Sequence, residues 1–112
     1  MFEERQLTQV FSLLGAVAEA VVAVMPPRCQ VTVVDLRTPG HNVVARLGPP
    51  VGIRHGDAAL LVTDEPDAIL HSPLQDVAVH VADSPSGGEV LSARVKVRDS
   101  TGHVVGALVI DC

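Results

Sequence analysis

Aromatic side chains are nearly missing from this chain. It has no Trp and no Tyr, and its two Phe residues, Phe2 and Phe11, both lie near the start. Base stacking needs aromatic platforms, and flavin or haem pockets draw on them as well, so neither is expected. Basic charge is scarce too. The 13 acids outnumber the 8 Lys and Arg residues, for a net charge of -5. A domain that grips phosphate backbones by itself presents a basic face, so direct nucleic-acid contact is not expected. Cysteine appears only at Cys29 and Cys112. Two such residues make no disulfide framework, and the plainer reading is one core thiol and one terminal thiol rather than a redox pair. The histidines (His41, His55, His71, His80, His103) are scattered, with none repeated at i, i+4. No Cys/His spacing resembles a zinc site, so no metal and no cofactor are expected. Cys29 has no evident acid or helix N-terminus to activate it as a nucleophile, and no enzyme is expected.

What remains is a globular composition. The 112 residues are 47% hydrophobic and 19% charged, enough for one domain that buries roughly two-thirds of its unfolded surface. The apolar run at 10–25 superficially resembles a signal peptide. Glu3 and Glu4 outweigh Arg5 ahead of it, whereas a signal wants net positive charge there. Glu19 interrupts the run, which is also short for a bilayer span. The expectation is a cytoplasmic, soluble protein without a membrane segment.

Residues 3–25 read as a helix. Leu7, Phe11, Leu14, Ala18, Val21 and Met25 alternate steps of four and three and make one apolar seam. After Glu19 the helix is apolar all round, which calls for cover on every side. Either a second copy of the chain supplies it, through a homodimer contact along this seam, or the helix packs on its own sheet and leaves some valines exposed. Pro26 and Pro27 end it.

Strands are expected at 29–36, 42–47, 76–83, 90–98 and 103–111. The alternation at 90–98 is the cleanest: Leu91, Ala93, Val95 and Val97 make an apolar face, expected inward. Ser92, Arg94, Lys96 and Arg98 make a polar face, expected in solvent together with His80. Asp99 to Gly102 form a turn, with Gly102 suited to positive φ. The last strand is apolar at both parities, as in a strand covered on both faces. Residues 58–72 read as two short helical pieces, with Thr63 or Asp64 as a cap and Pro66 in a first turn. Helix, two strands, short helices and a three-strand meander make an α+β domain spanning residues 1–112.

Three stretches carry a resemblance: "CQVTVVDLR" (29–37), "VGIRHGD" (51–57) and "VKVRDSTGHVVGALVID" (95–111). In order and separation they resemble the YheO-like PAS domain family, the sensor half of a group of bacterial helix-turn-helix transcription regulators. The likeness covers residues 10–111. It implies a PAS-like five-stranded antiparallel sheet with helices on one face and an N-terminal helix. It also implies a sensory or dimerisation module that passes a signal to a DNA-binding partner. The departures are clear. Of the family's Ser/Thr cluster on the penultimate strand only Ser92 persists, and the aromatic positions are missing.

The residues that a small polar ligand would meet are Asp35, Arg54, Asp57 and Ser92. Asp35 either lines a cavity edge, satisfied by a polar ligand or an Arg, or it opens the turn with Thr38 and Gly40. Arg54 and Asp57 sit in a Gly- and Pro-rich loop that is either a pocket mouth or the site of a surface ion pair of little weight. The alternative function is a small enzyme or substrate carrier using the Arg54/Asp57 loop.

Overall fold

The computed structural model describes residues 2–26, 28–37, 43–49, 70–71, 76–83 and 88–112. Arg54, Asp57 and all but residues 70–71 of the helical stretch expected at 58–72 lie outside them.

Helix α1 runs from Glu4 to Val24. Its start is fixed by Glu3, whose amide donates to Gln6 Oε1 at 2.9 Å. That satisfies one of the donors a helix start leaves open. The seam faces the chain's own sheet. Leu7, Phe11 and Ala18 are buried, and Leu14 and Val21 pack against the same cluster. The apolar character beyond the seam is left outside: Leu13 is 64% and Val24 84% exposed within one copy of the chain. The helix is longer than the apolar run noted in the sequence, and by length and composition it is long and apolar enough to cross a membrane.

The strands are β1 (Gln30–Asp35), β2 (Val43–Leu47), β3 (Leu70–His71), β4 (Val77–Asp83), β5 (Glu89–Arg98) and β6 (Val104–Asp111). They form one antiparallel sheet in the order β2-β1-β6-β5-β4-β3. Five strands of five or more residues match the expected set, and the class is α+β. The two-residue β3 corrects the helical reading at 70–71: Leu70 and His71 pair with Val79 and Ala78. An open sheet edge offers them amides and carbonyls that local helix signals do not reveal.

The β4–β5–β6 meander pairs consecutive strands. His80 stands opposite Ser92, and the Lys96 amide donates to the Asp76 carbonyl at 2.7 Å. The turn between β5 and β6 closes as expected: the Gly102 amide donates to the Asp99 carbonyl at 3.1 Å, and Gly102 has φ 91°. Asp99 Oδ1 accepts from the Thr101 amide, the Thr101 hydroxyl and the His103 amide. The Thr101 hydroxyl bond, opposed by slight desolvation and helped by the two amides, holds the Asp99 carboxyl below its ordinary pKa.

The facing of β5 is the reverse of the expectation. Leu91 is 50% and Val95 37% exposed, whereas Ser92 is fully buried and Arg94 only 7% exposed. Lys96 and Arg98 are half-buried. The cause lies in the neighbours. α1 packs over β1 and β2, so on its side of the sheet it covers Val97 and leaves Leu91, Val95 and Val81 bare. On the other side, Ser92 and Arg94 share a face with Val34, Ala107 and Val109, all of which are buried. The central strand β6 is covered on both faces, and β5 beside it inherits the cover on its polar side.

Cys29 and Cys112 are also corrected. Their sulfurs are bonded, across 83 residues of sequence, with the Cα atoms 4.2 Å apart. The β1–β6 ladder dictates this. It pairs Gln30 with Asp111, so the next pair outward is Cys29 opposite Cys112.

Candidate functional site

The far face of the sheet, away from α1, carries an unusual set of side chains for a domain interior. Thr32 comes from β1, Asp111 from β6, and Ser92 and Arg94 from β5. All four are buried: Ser92 to 0%, Thr32 and Asp111 to 1%, Arg94 to 7% exposure. The ladder brings them together. Ser92 is directly opposite Asp111, while Arg94 and Thr32 flank Val109 from its two sides. Asp111 is two residues beyond Val109 on the same face, so it is a diagonal neighbour of both Arg94 and Thr32, within reach of long side chains.

Buried charge is costly unless it is paired and hydrogen-bonded. Arg94 and Asp111 both have interaction partners. Ser92 differs: among the described residues, its buried hydroxyl has no hydrogen-bond partner. A hydroxyl both donates and accepts, and leaving one unsatisfied costs about 1–3 kcal/mol. The patch thus combines a cation, a carboxylate, two hydroxyls and an apolar floor of Val34, Ala107 and Val109. That mixture suits orientation of a small polar molecule by a few directed bonds. Among the described residues, no group of three or more His, Cys, Asp and Glu gathers in a way that could hold a metal.

Of the four residues expected at a ligand site, Ser92 belongs to this patch. Asp35 does not. It lies on the α1 side and near the opposite end of β1, as part of a clip between helix and sheet. Arg37 Nε donates to Asp35 Oδ1 at 3.0 Å and Nη2 to Oδ2 at 2.8 Å, in a bidentate pair. The Arg37 amide also donates to Oδ1, at 3.0 Å. Asp35 thus accepts from the Arg37 amide and is satisfied by an Arg; Thr38 and Gly40, the other residues of the expected turn, lie outside the described ones. Burial pushes the Asp35 carboxyl up, but the Arg37 bonds and charge outweigh burial and hold its pKa below the ordinary value. The Asp35 bond likewise raises the Arg37 pKa. Arg37 reaches on to Glu4 Oε1 at 3.1 Å and lies over the Phe11 ring, 5.1 Å from its centre.

Arg94, Thr32 and Asp111 were not singled out from the sequence, and Arg94 stood on a face expected in solvent. A signal was present. An adjacent strand apolar at both parities means cover on both faces, and the cover extends to its neighbours. Arg98 of the same stripe is bound elsewhere, with Nε 2.7 Å from Asp76 Oδ1 and Nη1 donating to the Gly102 carbonyl at 2.8 Å. The His80 backbone is opposite Ser92; its side chain is outside the described ones.

No protein-family model, no curated protein and no solved structure matches the chain.

Proposed function

We propose that this domain is a PAS-like sensory and dimerisation module of a bacterial transcription regulator, and that it binds a small polar molecule at the Thr32–Ser92–Arg94–Asp111 patch. The observation that carries the reading is the fully buried Ser92 hydroxyl with no partner among the described residues, set between a cation and a carboxylate. The α+β architecture with a central β6 and the YheO-like stretches support the family part. In this reading the protein works in the cytoplasm and leaves nucleic-acid contact to a partner domain.

The test is calorimetric titration of the full chain with a panel of amino acids, short carboxylates, amides and polyols. One chemical class is expected to bind. Ser92→Ala is expected to weaken that class about fivefold, the loss of one hydrogen bond of about 1 kcal/mol. A panel that yields no heat, or a binder indifferent to Ser92→Ala, sinks the reading.

The module acts as a homodimer through α1. The Leu7–Phe11–Ala18 seam packs on the chain's own sheet, so the contact uses the adjacent stripe of Leu13, Val17 and Val24, all exposed.

A further inference from the structure

We propose that Cys29 and Cys112 form a reversible, redox-responsive staple between the start of β1 and the end of β6. Three observations carry it. The first is that the sulfurs are bonded across adjacent antiparallel strands. The second is that each cysteine's backbone is anchored without that bond. The Cys112 amide donates to the Leu91 carbonyl at 2.9 Å, and the Cys112 carbonyl accepts from the Leu91 amide at 3.0 Å. The Cys29 amide donates to the Pro26 carbonyl at 3.0 Å. Opening the staple therefore orphans no backbone group, and the ladder outlasts it. The third is asymmetric access: Cys29 is 2% exposed, while Cys112 is half-buried. Of the two residues, Cys112 is the more open to a reductant.

The exchange follows from this asymmetry. A thiolate of a small dithiol attacks the Cys112 sulfur. The disulfide breaks, and Cys29 leaves as a thiolate and takes a proton from solvent. The second thiol of the reductant then displaces Cys112 and closes the reductant into a cyclic disulfide. Two electrons and two protons pass to the protein, and a disulfide-class oxidant reverses the step.

The staple's position gives the chemistry a consequence. Cys29 stands just after the turn that ends α1. Cys112 follows Asp111, the carboxylate opposite Ser92. Opening the bond therefore loosens the end of α1 and the edge of the buried polar patch together. The staple stands on strand geometry alone and is independent of any ligand.

The experiment equilibrates the full chain against mixtures of reduced and oxidised dithiothreitol. Free thiols are trapped with a maleimide and counted by mass, with circular dichroism and amide exchange in parallel. Two adducts are expected at the reducing end and none at the oxidising end, reached from either direction. The dichroism is expected to stay the same, and amide exchange at 109–112 to accelerate roughly tenfold on reduction. Cys112→Ser is expected to exchange at the fast rate under both conditions. Adducts at every ratio would mean that no bond forms. A pair that resists reductant in the folded chain would make the bond a static crosslink. Loss of the dichroism on reduction would mean that it is needed for folding. Each of these results overturns the proposal.

Discussion

At the scale of single residues, the same substitution is expected to act with opposite sign at two glycines. A methyl group added at Gly106 on β6 would collide with the Phe11 ring and the Val34 carbonyl. One added at Gly15 on α1 meets open space. Gly106→Ala is therefore expected to destabilise by about 1–3 kcal/mol through overpacking. Gly15→Ala is expected to stabilise by up to about 1 kcal/mol, because alanine is the better helix former. Urea unfolding of both variants checks this, and a neutral Gly106→Ala would mean that Phe11 does not sit over β6. The Asp35–Arg37 pair makes a second prediction, in pH. The folded Asp35 pKa is depressed below its ordinary 3.8. Its contribution is fully present above that ordinary value and is lost as pH falls through the lower folded one. Asp35→Asn is expected to cost about 1–2 kcal/mol at neutral pH. The gap to the parent is expected to shrink as pH drops from 5 towards about 2. A gap constant across that range would mean that the carboxylate charge adds nothing to the clip.

At the scale of elements, what was legible in the sequence was local, and what was hidden was paired across distance. The α1 seam was legible because Leu7, Phe11, Leu14, Ala18 and Val21 repeat at helical spacing. The strands were legible from period-two alternation, and the Asp99–Gly102 turn from its residue types. The facing of β5 was not. Alternation at 90–98 separates two faces but does not reveal which is covered, and here the position of α1 and the double cover of β6 decide. Three of the four patch residues, Arg94, Thr32 and Asp111, stayed hidden for that reason: β6 pairs with β1 on one side and β5 on the other, and only this brings Thr32 and Arg94 to the two sides of Val109. The Arg37 clip was hidden likewise, since Glu4 and Thr8 approach it 33 and 29 residues away. The outward stripe of α1 makes a prediction of its own. Val24 is 84% exposed in one copy, so Val24→Asp removes no intrachain packing. In a dimer built on this stripe the contact is self-complementary, and the aspartates would meet an apolar partner surface. Light scattering at micromolar concentration is expected to read a dimer for the parent and a monomer for Leu13→Asp combined with Val24→Asp, with unchanged melting of the monomer. A parent that scatters as a monomer at high concentration rules the contact out.

At the scale of the whole molecule, the Cys29–Cys112 bond joins residues 83 apart in sequence, about three-quarters of the 112-residue chain. It ties the start of the strand that follows α1 to the end of the strand at the centre of the sheet, so every described strand lies inside the loop. Such a crosslink acts mainly on the unfolded chain, whose freedom it restricts. The folded ladder pairs their neighbours Gln30 and Asp111, so little is asked of the native state. Reduction, or Cys112→Ser, is therefore expected to lower unfolding stability by roughly 2–4 kcal/mol. A domain with 5–15 kcal/mol in hand stays folded after that loss, as the reversible staple requires. The unfolded-state origin leaves a second signature. Without the crosslink the unfolded chain expands and exposes more surface, so the denaturant slope rises as the midpoint falls. A bond acting through native contacts would lower the midpoint and leave the slope alone. Paired urea curves of the oxidised and reduced parent, with Cys112→Ser as the control insensitive to reductant, separate the two. A midpoint that does not move in the parent would show that the two sulfurs, however close the strands bring them, are not joined in solution.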